Sequence, residues 1–211
     1  AFVDFDAPYF SIMGEYMSRP NFKGIITHMK DTIHSFQKIL KGKINDKLHY
    51  VPIGFPPAKD PKTPKKLEKK LRILVTNSYG APIGNFYLRG GVEAVIAVTD
   101  LINDGHNVEL TVLGPTPRDM IARCNKNTRV FDSFVDEAFL KSIIDETDVF
   151  LIPAMRVHSI SVVRAMCEGI VPIVSDGWGF DEFIIHGFNG LICKGHYGHT
   201  TMKRDGIFVE N

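Results

Sequence analysis

Two arginines that flank a short polar segment are the side chains in this sequence most suited to chemistry. In "PAMRVHSISVVRAMCEGIVPIVSDGWG", residues 153–179, Arg156 and Arg164 lie eight positions apart with "HSIS" between them. The pattern predicts a strand that ends near Pro153, then a loop and a short helix that begins at "HSIS". Positive charge on both sides of a helix N-terminus favours the binding of an anion.

The four residues of "HSIS" predict how that helix begins. The side chain of His158 or Ser159 would take the N-cap position. The backbone N–H groups of Ile160 and Ser161 would be free donors, because the first turn of a helix contains no acceptor for them. A helix end that is capped and binds nothing is the alternative.

Arg89 is a third cation placed before a helix. It precedes Gly90 and the helix predicted from Val92 in "LRGGVEAVIAV". If both helices follow parallel strands of one sheet, their N-termini face the same crevice, and two such ends with nearby arginines suit a diphosphate. A solvent-exposed arginine with no ligand is the alternative for Arg89.

Several other kinds of site are disfavoured by what the sequence lacks. The loop after residue 77 contains no G-x-G-x-x-G, and there is no P-loop and no G-x-S-x-G, which argues against a nicotinamide, flavin or triad-hydrolase site. The three cysteines lack metal-ligand spacing. A net charge of +1 provides no basic excess for a nucleic acid. We therefore expect no cofactor, metal or nucleic acid.

The elements that must position these residues alternate regularly after residue 70. The predicted strands are "LRILVTN", "VELTVLG", "RVFDS", "DVFLIP", "VPIVS" and "NGLIC". Between them lie the predicted helices "VEAVIAVTDLINDG", a proline-broken one around "RDMIARC", "DEAFLKSIIDE", residues 159–168 and "FDEFIIHG". This alternation predicts an α/β fold with a Rossmann-like open parallel sheet. Ligands of such sheets bind where the strands end, so the predicted site comprises the loops that begin at Asn77, Gly114, Phe131, Pro153 and Ser175.

Residues 1–57 carry a shorter pattern that predicts one βαβ unit: strand "GIITH", helix "MKDTIHSFQKILKG" and strand "LHYVPIGF". The opening "AFVDFDAPYF" looks like a further strand. The basic, proline-rich segment 58–70 predicts a solvated linker to residues 71–211, with a membrane-surface or acidic-partner patch as the alternative. Because the chain begins without Met and the first unit is small, we expect a fragment of a longer protein, also cut at its C-terminus.

Three segments carry a resemblance to a known family. A run of strand, E-x7-E helix, second strand and glycine-bearing loop is matched by "DVFLIPAMR…ISVVRAMCEGIVPIVSDGWGFDEFIIHGFNGLI". A helix that starts with a basic residue is matched by "LRGGVEAVIAV", and the last helix and strand of a preceding domain are matched by "THMKDTIHSFQKIL…LHYVPIGF". In this order they resemble the GT-B-fold retaining glycosyltransferases, the group 1 family that includes glycogen and sucrose synthases. The resemblance implies that residues 1–57 are the tail of an N-terminal acceptor-binding domain and residues 71–211 the C-terminal nucleotide-sugar-binding domain.

The resemblance also implies an activity and partners. It implies a metal-independent hexosyltransferase with a nucleotide-diphosphate sugar as donor and a saccharide, lipid-linked or protein acceptor. Its partner would be the N-terminal domain of the same protein, and its place the cytoplasm or, through the Lys-rich linker, the periphery of a membrane. The fragment alone would be inactive or nearly so, because the acceptor cleft lies between two domains.

Site residues follow from the same motifs. Arg89 stands where the family places a Lys that contacts the donor diphosphate, and Glu182 matches the Glu of the glycine-rich loop. Trp178 would face the acceptor as a stacking surface or cover the core. The residues expected at the diphosphate and sugar are Arg89, Arg156, His158, Ser159, Ile160, Ser161 and Arg164, and those at the nucleotide are Asn77, Phe131, Asp132 and Ser133.

The sequence departs from the family at two positions. Both glutamates of E-x7-E are replaced, by Arg156 and Arg164, and arginine has donors but no acceptor. Three interpretations follow: an acidic donor sugar that pairs with Arg156, a domain that binds without catalysing, or a reorganised pocket in which Arg164 turns to phosphate and the donor is neutral. A sugar-nucleotide epimerase is a further alternative.

Overall fold

The structure is a computed structural model that describes residues 8–56, 70–77 and 83–194, and the backbone of two strands at 201–204 and 207–210. The chain forms two compact units, residues 1–54 with 198–211 and residues 55–197. Nearly all of the predicted linker, 58–70, and the start of the predicted N-terminal strand lie outside the described residues. No helix among the described residues is long and apolar enough to cross a membrane.

The first unit contains the predicted βαβ segment. Its elements are the helix α1 (Pro8–Ser18), the strand β1 (Ile25–Thr27), the helix α2 (Lys30–Ile39) and the strand β2 (Leu48–Tyr50), and β1 pairs parallel with β2. The strand expected in "AFVDFDAPYF" is wrong from Pro8 onward, since these residues begin α1. Lys41 and Gly42 follow the end of α2 with φ 51° and 77°, in the left-handed region where helices commonly terminate.

The second unit alternates strands and helices as predicted. Its strands are β3 (Leu71–Thr76), β4 (Val108–Leu113), β5 (Thr128–Phe131), β6 (Val149–Ile152), β7 (Val171–Ser175) and β8 (Leu191–Cys193). Its helices are α3 (Gly84–Leu88), α4 (Gly91–Asn103), α5 (Arg118–Arg123), α6 (Glu137–Glu146) and α7 (Ser159–Cys167). Back in the first unit, the C-terminal strands β9 (Thr201–Arg204) and β10 (Ile207–Glu210) form an antiparallel pair that the sequence did not predict.

The six strands of the second unit form one parallel sheet in the order β5-β4-β3-β6-β7-β8. This confirms the predicted Rossmann-like α/β fold. The chain builds outward from β3 to β5 on one side and then returns to build β6 to β8 on the other. The order therefore reverses between β3 and β6, which is where ligands of open α/β sheets bind.

The core lies between this sheet and α4. Leu110 and Val112 of β4 and Val95 of α4 are completely buried, as the unbroken apolar strands of a parallel sheet covered on both faces require.

Two predictions about the helices of the second unit are wrong in detail. Residues 84–88, predicted as loop, form α3, because Phe86 (1% exposed) packs into the core. The helix predicted in "FDEFIIHG" is only a 3₁₀ turn, Phe180–Glu182.

Candidate functional site

The junction of α3 and α4 closes tightly against the end of β6. Gly90 has φ 71°, in the left-handed region, and a Cβ there would overlap the carbonyl oxygen of Pro153. Nearby, the backbone N–H of Met155 donates to the oxygen of Leu88 at 3.2 Å. Only glycine satisfies both the dihedral angle and the close approach. This contact places Arg89, the residue before Gly90, at the point where the strand order reverses.

Three basic side chains converge at this junction. Arg89 is half-buried and its Nη1 lies 3.5 Å from the oxygen of Thr76 at the end of β3. Burial, and then the charges of Arg89 and Arg156, lower the pKa of His158 to about 4. Burial and the charge of Arg156 lower the pKa of Arg89 as well. The structure therefore brings together two guanidinium groups and a neutral imidazole, a combination that suits an anion.

The N-terminus of α7 opens beside this cluster. His158 takes the N-cap position, but its side chain makes no capping hydrogen bond. The expectation that His158 would cap the helix by its side chain is therefore wrong. Ser159 is buried and starts the helix, and Ile160 and Ser161 follow in its first turn. Backbone N–H groups in a first turn have no helical acceptor and stabilise anions.

The loop after β7 supports the arginine that precedes α7. Arg156 and Trp178 form a parallel β-bridge. The N–H of Val157 donates to the oxygen of Trp178 at 2.8 Å, and the N–H of Trp178 donates to the oxygen of Met155 at 2.9 Å. Trp178 is half-buried, and so is Glu182 in the adjoining 3₁₀ turn. The tryptophan backbone thus fixes the 155–157 segment, a role that the sequence did not predict.

A cavity of about 370 Å³ extends from Arg89 between α6, α7 and the sheet. Most of its wall is apolar. It is lined by Leu74, Thr76, Asn77, Arg89, Leu113, Phe134, Val135, Glu137, Leu140, Ile144, Phe150, Ser161, Arg164, Ala165, Glu168 and Ile170. Arg89 belongs both to this wall and to the basic cluster. The apolar cavity therefore adjoins the basic cluster.

Of the residues predicted at the nucleotide, the cavity includes one. Asn77 is buried and its amide is fixed on two sides: Nδ2 donates to the oxygen of Pro115 and Oδ1 accepts from Asn85, each at 2.8 Å. Phe131 instead packs edge-on against Phe139, with ring centroids 5.1 Å apart. Asp132 and Ser133 are exposed and do not line the cavity. The next two residues along the loop, 134–135, line it in their place.

Arg164 points into the cavity and is held there. Its Nη2 donates to Oε1 of Glu137 at 2.6 Å, and its guanidinium lies over the ring of Phe55, 5.4 Å from the centroid. Neither partner was predicted from the sequence. Glu137 was visible only as an acidic residue in the first turn of a helix, which the helix dipole explains without any function. Among the described residues, no group of three or more His, Cys, Asp or Glu side chains is placed to hold a metal ion.

Comparison with known proteins adds to this geometry. A family model described as glycosyl transferases group 1 matches residues 77–200. Comparison with curated proteins gives no match. Solved structures share the fold at low identity: Anabaena Alr3699/HepE in complex with UDP and glucose has a TM-score of 0.64 at 11% identity, over 88% of this chain and 52% of that one.

Two further structures are similar to the same extent. An E. coli protein described as trehalose-6-phosphate bound with UDP-2-fluoro glucose has a TM-score of 0.61 at 14% identity, over 90% of this chain and 53% of that one. WaaG, a glycosyltransferase of lipopolysaccharide biosynthesis, has a TM-score of 0.63 at 16% identity, over 86% of this chain and 56% of that one. The chain thus spans about half the length of these three structures.

Proposed function

The chain belongs to the glycosyl transferases group 1 family, and on that premise we propose that it binds a nucleoside-diphosphate sugar for transfer to a saccharide, lipid-linked or protein acceptor. One observation carries the proposal: Arg89 joins an apolar cavity large enough for a substrate group to a cluster of positive charge. A nucleoside diphosphate has the same two parts, a flat base and a doubly charged group. The similar structures that contain UDP and glucose support this choice of ligand.

In this proposal each part of the donor meets a matching surface. The nucleoside enters the cavity, where apolar side chains from α6, α7 and the sheet exclude water. The diphosphate lies at Arg89 and the first-turn amides of α7, where guanidinium groups and the helix dipole favour negative charge. The sugar then lies beside Arg156 and His158, at the outer side of the crevice.

The same groups would assist transfer without a metal ion. When the bond to the sugar breaks, negative charge grows on the leaving diphosphate, and fixed donors that face this charge lower the barrier. Arg89 and the amides of Ile160 and Ser161 are in position to act this way. The retaining outcome and the hexosyl donor implied by the family resemblance belong to this proposal, as does an acceptor site formed with a further N-terminal domain.

A second candidate function is nucleotide-sugar binding without transfer. It is favoured by the family resemblance, which aligns Arg156 and Arg164 with two carboxylates, because a guanidinium cannot accept a proton or a hydrogen bond. The two candidates predict the same binding but differ in turnover. Slow release of free sugar from the bound donor, or transfer to an added acceptor, would favour the enzyme.

Calorimetric titration with nucleoside diphosphates and their sugars tests the shared part of the proposal. We expect at least one member of a UDP, GDP and ADP panel to bind, and Arg89→Ala to weaken it about 10- to 100-fold, because a charge-assisted hydrogen bond is lost. Arg129→Ala is the matched control: Arg129 is another partly buried arginine, ion-paired with Glu109 and Glu146 at 3.1 Å, and it lies outside the cavity.

Two results would contradict the proposal. The first is that wild-type protein binds no member of the panel. The second is that Arg89→Ala and Arg129→Ala bind it equally. Within the panel, uronate-type and neutral sugars separate the donor classes, because Arg156→Ala should harm only the uronates if Arg156 pairs with a carboxylate.

A further inference from the structure

We propose that Glu137, oriented by Arg164, is the hydrogen-bond acceptor for the ribose hydroxyls of the bound nucleotide. The inference rests on the proposed function and names one subsite within it. It assigns a substrate contact to a residue of α6 and a positioning role to a residue of α7.

The ribose hydroxyls of the ligand require a hydrogen-bond acceptor, which Arg164 of α7 does not provide. Ribose presents two adjacent hydroxyls, and proteins commonly bind such a pair with a carboxylate that accepts from both. The arginines at 156 and 164 have no acceptor to offer. An acceptor in this cavity must therefore come from another element. Its described wall contains two carboxylates, Glu137 and Glu168.

Glu137 stands at the mouth of the cavity in a fixed position. It is the first residue of α6, directly after Asp136, whose side chain accepts from the N–H of Phe139 at 2.7 Å and anchors the helix start. The side chain of Glu137 is 75% exposed, so a ligand can reach it. Its Oε1 accepts from Arg164 at 2.6 Å, and Oε2 has no hydrogen-bond partner among the described residues. One oxygen is thus held and the other is available.

Arg164 is fixed by its own contacts and can therefore orient the carboxylate of Glu137. Its side chain is only 22% exposed. The guanidinium carbon lies over the ring of Phe55, 5.4 Å from its centroid, and the backbone oxygen of Phe55 accepts from Sγ of Cys167 in α7 at 3.5 Å. A planar cation fixed by an aromatic ring and a carboxylate loses little further freedom when a ligand binds.

Glu168 fits the role less well. Its side chain is 11% exposed and its Oε2 lies 3.8 Å from Nζ of Lys141. It stands one helical turn beyond Arg164, away from the N-terminus of α7 and the basic cluster. The carboxylate of Glu168 is thus shielded and close to an ammonium group, whereas that of Glu137 is exposed to a ligand.

The test compares ribonucleotides with their deoxy forms. Binding of UDP, GDP and ADP and of their 2′-deoxy counterparts is measured by calorimetry for wild type, Glu137→Ala and Glu137→Gln. We expect wild type to prefer the ribonucleotide it binds about 10-fold or more, because a hydrogen bond to a charged acceptor is lost in the deoxy form. Glu137→Ala should abolish the preference, and Glu137→Gln should keep part of it.

Two controls separate recognition from structure. Glu146→Ala removes another glutamate of α6 that is paired with an arginine, Arg129 at 3.1 Å, and should leave the preference unchanged. Arg164→Ala should reduce the preference, because the Glu137 carboxylate is then no longer held, and Arg164→Lys should restore part of it. A merely structural role for Arg164 would weaken both ligands equally.

The outcomes distinguish this inference from the proposed function. If wild type binds a nucleotide and Glu137→Ala retains the ribose preference, or loses affinity for both forms equally, the inference is overturned and the proposed function stands. If wild type binds no nucleotide at all, the proposed function fails and the inference fails with it.

Discussion

Among single residues, the charged side chains at the junction of α4 and β6 determine what the crevice there can bind. Arg89 and Arg156 both act on His158, while Arg164 is neutralised by Glu137 and does not join them. The interpretation in which Arg164 turns to phosphate therefore requires that it first leave Glu137. Arg89 and Arg156 are the cations that a diphosphate and its sugar would meet.

The first prediction concerns the pH dependence of stability through His158. Its pKa is about 4 in the folded protein, below the ordinary value of 6.5. Between these values the unfolded chain binds the proton and the folded protein does not, so the free energy of unfolding rises with pH across this window. We expect the difference in stability between wild type and His158→Gln to grow from pH 4 to pH 6.5 and then level off, as measured by urea unfolding.

A variant of Arg156 checks why the pKa of His158 is lowered. Arg156→Gln removes one of the two charges that oppose protonation of the imidazole. The ring should then titrate at a higher pH by NMR than in wild type. Identical titration curves in the two proteins would contradict the assignment of Arg156 to the basic cluster.

At the scale of elements, the site depends on one tight contact between α4 and the end of β6. Gly90 starts α4 in the left-handed region and lies against Pro153. The helix α3 supports this junction from the other side through the buried Phe86. The position of Arg89 is thus set by packing that is independent of its charge.

The second prediction is that Gly90→Ala impairs both folding and nucleotide binding. A left-handed non-glycine residue costs about 1–2 kcal/mol, and overlap with the Pro153 carbonyl adds about 1–3 kcal/mol. Gly105→Ala is the matched control, because Gly105 has φ 86° but a methyl group there would enter open space, with no contact within 4 Å. We expect the control to lose only the first part, measured by chemical unfolding, and to bind nucleotide normally. Equal effects of the two substitutions on binding would contradict the role given to this contact.

At the scale of the whole molecule, the sheet order decides where the site lies. The chain adds strands in opposite directions from β3 to β5 and from β6 to β8, and Arg89 lies where the two directions part. Behind the crevice, β4 and α4 pack their buried apolar side chains into the core. The chain spans about half the length of the Anabaena and E. coli structures that it matches, and the activity assigned to it is accordingly a proposal.

The third prediction concerns this core. Leu110 is completely buried in β4, and Leu110→Ala should lower the free energy of unfolding by about 2–5 kcal/mol. The same change at Leu101 on α4, a leucine 39% exposed, should cost about 1 kcal/mol or less. Urea unfolding of the two variants checks this, and equal losses would show that the β4–α4 layer is not the core.

How much could be predicted differs between the fold and the site. The strands and most helices of residues 71–193 follow from apolar runs and their periods, because these are set by neighbours in sequence. The helix α3 was missed and the 3₁₀ turn was predicted as a longer helix, since each contains a buried aromatic side chain, Phe86 or Phe180, whose packing is not set by neighbours in sequence. The antiparallel pair β9–β10 was missed as well.

The sequence by itself determined that the strands alternate with helices in a parallel sheet, and that carboxylates are absent from positions 156 and 164. Only the tertiary structure decided that Glu137 meets Arg164 across 27 residues and that Phe55 lies under the same guanidinium. The hydrophobic periodicity of the sequence predicts which face of α6 or α7 is apolar. It does not predict which polar side chains of the two helices contact each other, because that depends on how the helices pack side by side on the sheet.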